Sequence, residues 1–242
     1  MEGWQATSFG HLNAEVYDET QDPGTTEAAV TVIADLARGG KVLELAVGTG
    51  RIALPLAARG VDVTGLEVSP QMVAKLRAKP GGDALPVVMA DMADFTFDTK
   101  FDLVVLVFNT LFNLTSQAQQ IGCFQSVANC LAPGGRFLVE AFVPDVARYR
   151  DHQDVRIKHL DMGRLTLDAV QHDPVEQRLT MQRLHVDDAG TKLVPLVMRY
   201  AWPSELDLMA RLAGMTLVDR WSNWDKAPFG ADARSAISVW QL

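Results

Sequence analysis

The chain is expected to fold as an α/β protein, a doubly wound and largely parallel sheet to which an antiparallel β-meander has been added. Three observations predict this. Residues 41–45 read as an apolar strand that runs into Gly48-Thr49-Gly50, after which Ile52, Leu54, Leu56 and Ala57 mark a helix starting near Arg51. The strand pattern returns at residues 61–67, 87–92 and 101–109, and the last is the nearly continuous apolar run of a central parallel strand covered on both faces. Residues 155–202, by contrast, alternate between apolar and polar and are broken by turn signals at Asp173-Pro174 and Asp188-Ala189-Gly190.

At 242 residues the chain is long enough for one full α/β domain with an elaboration, and a second independent domain is not expected. The divisions are 1–40 for an N-terminal arm and first helix, 41–150 for a ligand-binding core, 151–202 for the antiparallel insertion and 203–242 for the end of the core sheet. The insertion is read as a lid, a pocket wall or a dimer surface. A formal charge of −8 argues against a nucleic-acid partner, because no cluster of Lys and Arg is visible to neutralise phosphates. Cys123 and Cys130 are the only cysteines, and on a helix they would stand roughly 10 Å apart along its axis. That is beyond disulfide reach, so reduced, buried thiols in a cytoplasmic protein are expected. No signal peptide and no bilayer-crossing run is visible, and no membrane partner is expected.

Along the chain, the amino end is polar, with aromatics at Trp4, Phe9 and Tyr17, and residues before about 11 are expected to form a mobile arm. Residues 25–38 carry a helical stripe at Ala29, Val32, Ile33 and Leu36 that Gly39-Gly40 stops. The helix after the glycine turn ends at Arg59-Gly60. Ser69-Pro70 supplies a cap and a first-position proline for the next helix. Ser116 caps a further helix expected to turn Ile121, Phe124, Ala128 and Leu131 inward. Pro203 opens a helix bearing Leu206, Met209 and Leu212, which Gly214 ends. Residues 215–222 and 233–242 read as closing strands around a loop.

The glycine turn lets a backbone approach a ligand closely, and the amides of the helix behind it point toward an electron-rich group. Gly48-Thr49-Gly50-Arg51-Ile52-Ala53 also satisfies a loose dinucleotide pattern, which alone is weak. Charge separates the readings. Glu44, Glu67 and Asp91 stand at or near the ends of three successive strands, where a cationic nucleoside is favoured over a pyrophosphate.

Four ordered blocks resemble the class I S-adenosylmethionine-dependent methyltransferases, of the small-molecule, natural-product-tailoring type. Glu44-Leu45-Ala46-Val47-Gly48-Thr49-Gly50 is similar to the family's first motif, with Glu where Asp is commoner. Glu67 resembles the acid that holds both ribose hydroxyls, and Asp91-Met92 the pair that recognises adenine. Phe101 to Asn109 resembles the fourth strand, whose end lies beside the transferable methyl, and Leu131 to Val139 the turn and strand that follow. The resemblance implies a Rossmann-like sheet of about seven strands with the last antiparallel, with residues 41–150 binding S-adenosylmethionine and releasing S-adenosylhomocysteine. It implies cofactor contacts from Tyr17, Glu44, Ala46, Gly48, Gly50, Arg51, Glu67, Val68, Met72, Asp91, Met92 and Phe108. Tyr17 either covers the methionine end or simply packs, Arg51 either reaches the cofactor or is solvated, and Met72 either flanks adenine or is core.

For the acceptor, Phe108 to Leu114 leaves a strand's carboxyl end and mixes aromatics with amides, so Asn109, Phe112 and Asn113 are candidates, with turn formation the alternative role for the asparagines. His152 is a further candidate, and Trp224 and Phe229 either wall the acceptor or pin their loop. No catalytic residue is assigned. An amine acceptor needs no base; a hydroxyl would, with only His11, His152 or Asp145 as options. His159, His172 and His185 lack companion acids at ligand spacing, so no metal is expected. The reading is methyl transfer by direct displacement to the N, O or C of a small molecule, in secondary metabolism, by a cytoplasmic enzyme that could be a homodimer. The alternatives are an NAD-dependent oxidoreductase, against which no Tyr has a Lys four residues on, and a non-catalytic nucleoside-binding protein.

Overall fold

The computed structural model describes residue 5, residues 7–15, 17–20 and 24–242; Trp4 lies outside the described residues, as does most of the arm before residue 8. In chain order the elements are α1 (Ser8–Asn13), α2 (Tyr17–Thr20), α3 (Thr26–Ala37), β1 (Val42–Leu45), α4 (Ala53–Ala58), β2 (Val63–Glu67), α5 (Pro70–Arg77), β3 (Val87–Met89) and β4 (Phe101–Leu106). They continue as α6 (Gln117–Cys130), β5 (Leu131–Phe142), β6 (Gln153–Leu160), β7 (Arg164–Asp173), β8 (Arg178–Asp187), β9 (Gly190–Arg199), α7 (Pro203–Leu212), β10 (Thr216–Trp221) and β11 (Ser235–Gln241).

Seven strands form one sheet in the order β10-β11-β5-β4-β1-β2-β3, parallel except for β11, which runs antiparallel to both neighbours. The order reverses beside β1, which makes the carboxyl ends of β1 and β4 the natural place for a ligand. Alternation along the central strands feeds two cores. Leu43, Val104 and Leu106 point to a layer with Phe124, Val127, Met209 and Trp240, whereas Val42, Leu103 and Val105 point to one with Ile33, Leu56 and Leu76. Helices therefore cover both faces.

Local chemistry sets the helix ends. Arg38 and Gly39 adopt left-handed backbone at φ 50° and 80° and stop α3. The Ser69 hydroxyl accepts from the Met72 amide and starts α5 with Pro70 in its first turn. α6 has a full capping box, Ser116 with Gln119. Its inward face differs from the expected one: Gln120, Cys123, Phe124, Val127 and Cys130 are buried, while Ile121 and Ala128 are only partly covered. Gln120 can turn inward because its amide donates to the carbonyls of Leu114 and Arg199 and accepts from the Arg199 guanidinium, so no polar atom is stranded. Cys123 and Cys130 are free and buried, and desolvation pushes both thiols up, Cys130 to about 11.

The meander is a separate four-stranded antiparallel sheet, β6-β7-β8-β9, joined by short turns. It begins at Gln153, inside the expected 151–202 stretch, and Val155, Ile157 and Leu160 on β6 are exposed. The arm also departs from expectation. Residues 8–10, expected to be mobile, are helical, and Gly10 packs so closely on α5 that a Cβ there would stand 2.2 Å from the Ser69 hydroxyl.

Candidate active site

Two adjoining hollows lie at the carboxyl ends of the central strands. The inner one spans about 680 Å³ including open solvent and is walled by Ala46, Gly48, Glu67, Val68, Met72, Asp91 and Met92. The outer cleft, about 2100 Å³ including open solvent, lies between the end of β4 and one face of the meander. Phe9, Tyr17, Thr110 and Asn113 line both, so they form the junction.

The inner hollow is built by a strained turn. Ala46, Gly48 and Gly50 have φ values of 51°, 56° and 84°, all left-handed, which a glycine adopts freely and an alanine only at a cost of about 1–2 kcal/mol. Glu67, at the end of β2, holds this turn. One carboxylate oxygen accepts from the Gly48 amide at 2.9 Å, the other from Val68 and Ser69 at 3.0 and 2.8 Å. Burial pushes its carboxyl up, and these three amides work in the opposite direction. Asp91 accepts from the Ala93 amide through Oδ1 at 2.9 Å, while Oδ2 has no protein donor among the described residues.

Glu44 lies within β1 and lines neither hollow. It is fully buried, and desolvation raises its carboxyl to about 8 despite the Arg51 charge and the Ala53 amide. Its Oε2 has no hydrogen-bond partner among the described residues. Arg51 is fixed by donating to the Thr26 hydroxyl at 3.0 Å and by standing 5.0 Å from the centre of the Phe108 ring. Gly50 also lies off the hollow; a Cβ there would meet Leu54 at 2.8 Å, so it serves helix packing.

A strap closes the junction. Tyr17 meets Phe9 edge to face with ring centres 6.0 Å apart. Burial pushes its phenol up to about 12, with Arg51 opposing and Glu44 and Glu67 adding to the shift. Asp18 accepts from the Thr49 hydroxyl at 2.6 Å and pairs with Lys79 at 2.6 Å.

At the end of β4, Phe108 and Asn109 both take left-handed backbone, at φ 58° and 64°. Glu140 holds them there: its Oε2 accepts from the Phe108 amide at 2.7 Å and its carbonyl from Asn109 at 3.0 Å. The Asn109 side chain accepts from the Phe142 amide at 2.6 Å. Phe108, Asn109 and Asn113 therefore line the outer cleft.

The other acceptor candidates lie elsewhere. Phe112 is fully buried in the core, ring centre 4.8 Å from that of Phe142, because its short 3₁₀ turn points the asparagines outward and the ring inward. Trp224 is buried in the opposite core and donates to Glu140 at 2.8 Å, so it pins its loop. Phe229 stacks under Arg220 at 5.6 Å and His152 is exposed at the entry to β6; neither lines a hollow. Sequence reasoning missed Gly10, Phe9, Leu66, Ser69, Ala90, Thr110 and Leu114 in the inner hollow. An isolated glycine inside a short helix was the available signal for the first. Among the described residues no group of three or more His, Cys, Asp or Glu is placed to hold a metal ion. No helix among them is long and apolar enough to cross a membrane.

A carboxylate from β2 thus grips the glycine turn of a parallel sheet, and a second carboxylate stands one strand further on. A family model described as a methyltransferase domain matches residues 42–135. The CcbJ methyltransferase from Streptomyces caelestis has a similar structure, with a TM-score of 0.93 and 36% identity over 99% of each chain. The cypemycin N-terminal methyltransferase from Streptomyces sp is 27% identical over 203 residues, 83% of this chain and 82% of that protein. A putative methyltransferase of Bacillus subtilis, YqeM, is 34% identical over 130 residues, about half of each chain. The chain belongs to the class I S-adenosylmethionine-dependent methyltransferases of the small-molecule type. The oxidoreductase reading of the glycine turn gives way to this assignment.

Proposed function

We propose that the enzyme methylates an amine nitrogen of a small molecule in secondary metabolism. The observation that carries this is the junction between the two hollows: Phe9, Tyr17, Thr110 and Asn113 include no histidine and no carboxylate. The one titratable group there, the Tyr17 phenol, is pushed up to about 12 and stays protonated at neutral pH. A nucleophile at this position must arrive with its own lone pair, as a neutral amine does.

The inner hollow suits the adenosyl group. In this reading Glu67 takes the ribose hydroxyls and the Oδ2 of Asp91 an exocyclic amine, between apolar walls from Val68, Met72 and Met92. When bound, S-adenosylmethionine supplies a methyl group made electrophilic by its positive sulfur. Tyr17 and Phe9 exclude water from the junction, and Asn113 and Thr110 orient the incoming amine. Glu44 and Arg51 lie behind the turn and set the field around it. The name of one relative, the cypemycin N-terminal methyltransferase, refers to an amino terminus and supports the same choice.

The two unpaired, buried thiols favour a reducing cytoplasm. The exposed row of Val155, Ile157, Leu160 and Leu193 on one face of the meander favours pairing with a second copy, which a solution mass would test. The net charge of −8 favours a small-molecule acceptor over nucleic acid. The function is tested by supplying labelled S-adenosylmethionine with matched amines and alcohols and following label by mass spectrometry. Methylated amines are expected; label on oxygen alone, or no binding of S-adenosylhomocysteine by calorimetry, would overturn the reading.

A further inference from the structure

The outer cleft has a charge pattern opposite to that of the chain as a whole. The protein carries a formal −8, yet the cleft is lined by five cations, Arg148, Arg156, Lys158, Arg183 and Arg234, against two carboxylates, Asp145 and Asp168. Three of the cations are already engaged. Arg148 donates to Asp154 at 2.6 Å, Arg234 pairs with Asp145 at 3.2 Å, and Arg183 grips Asp168 through two bonds of 2.7 and 3.0 Å.

The side chains of Arg156 and Lys158 make no hydrogen bond or ion pair among the described residues. Arg156 sits directly across from Asp168 in the β6–β7 register, but both oxygens of that carboxylate face Arg183 on the next strand. Lys158 stands where the β6 register shifts, between Ile157 and His159. Two uncommitted cations thus share one wall. Beside them, Val170, Met181 and Leu196 are direct cross-strand partners and make an apolar row along the same cleft.

We infer that the small-molecule acceptor is an amphiphilic anion, whose negative group is held by Arg156 and Lys158 while its apolar body lies along Val170, Met181 and Leu196. An arginine presents paired donors to a carboxylate, and a lysine adds a mobile point charge beside it. The two residues determine specificity at a distance from the reacting nitrogen. This rests on the outer cleft being the acceptor site.

The test uses two dyes of one shape in protein saturated with S-adenosylhomocysteine: 8-anilinonaphthalene-1-sulfonate, which is anionic, and N-phenyl-1-naphthylamine, which is neutral. The native enzyme is expected to bind the anionic dye about tenfold more tightly. Arg156→Ala with Lys158→Ala should lose that tenfold for the anionic dye alone. Arg156→Lys with Lys158→Arg should retain it, which separates charge from any damage to the strand. Equal affinity for the two dyes in native protein, or an unchanged anionic affinity in the double alanine variant, would overturn the inference. Calorimetry with S-adenosylhomocysteine on the same samples reports the cofactor assignment separately, so failure of one reading is distinct from failure of the other.

Discussion

The carboxylate of Asp18 accepts a hydrogen bond from the Thr49 hydroxyl at 2.6 Å, so the helix that carries Tyr17 is fastened to the glycine turn itself. Lys79 completes the fastening by pairing with Asp18 and donating to the Thr49 carbonyl at 2.8 Å. Burial works to raise the Asp18 carboxyl, but the bonds from Lys79 and Thr49 outweigh it and hold the group below its ordinary value. Because Asp18 is half exposed, its removal is expected to cost only ~1 kcal/mol. Asp18→Ala should therefore raise the Kd for S-adenosylhomocysteine about fivefold while leaving the melting temperature nearly unchanged. Calorimetry and a melting curve check this, and an unchanged Kd would mean that the strap does not close over the ligand.

The close approach of Gly10 to Ser69 makes a second test of the same strap. A methyl group there has 2.2 Å of space to the Ser69 hydroxyl, and the neighbour is the cap of a helix and cannot withdraw freely. Gly10→Ala should push α1 outward at a cost on the order of 1–2 kcal/mol, read as about a tenfold loss of cofactor affinity. Ser69→Ala alone would remove a cap as well, so Gly10→Ala is the cleaner variant.

Glu67 has two jobs that substitution can separate. Its carboxylate accepts three backbone amides, so Glu67→Gln, of nearly equal shape, would set an NH₂ group against amide donors. A loss of ~1–3 kcal/mol of stability is expected in ligand-free protein, measurable by denaturant titration. Beyond that loss, cofactor affinity should fall at least tenfold. A variant that is destabilised but binds normally would confine Glu67 to holding the turn.

Glu44 gives a pH dependence of known sign. Its carboxyl is raised from 4.5 to about 8 in the folded protein, so the folded state retains a proton that the unfolded state has released across this window. The contribution is fully present below the unfolded value and is lost as pH rises through about 8. Ligand-free enzyme is expected to lose stability progressively from pH ~4.5 to ~8 on this account. Glu44→Gln should flatten that slope; parallel melting curves for the two proteins would refute the assignment.

The legible part of the sequence was the part written in short-range rules. A strand, a Gly-x-Gly turn and a helix must follow one another at Lys41 to Ala58 because only that order buries Leu43 and Leu56 while giving Gly48 and Gly50 their left-handed backbone. Acids at the ends of β2 and β3 were visible for the same reason. What could not be read depends on contacts between distant segments. Trp224 looks like a free loop aromatic until Glu140, 84 residues earlier, is seen to accept its indole proton. Phe112 stands in a segment with Asn109, Thr110 and Asn113, yet the 3₁₀ turn rotates it fully into the core. The alternation of β6 was visible, but its apolar residues face solvent, which reverses the burial that alternation normally signals. Gln120 hid for the opposite reason, being a polar residue buried by partners 79 positions away.

Cys123 and Cys130 give the chain its own chemical gauge of opening. Each sulfur is sealed in the interior and held as the unreactive thiol, so an alkylating reagent can label it only in molecules that have come apart. The rate at which iodoacetamide consumes these two groups is thus a direct clock for the breathing of the core around α6, readable by mass alone and without any attached probe.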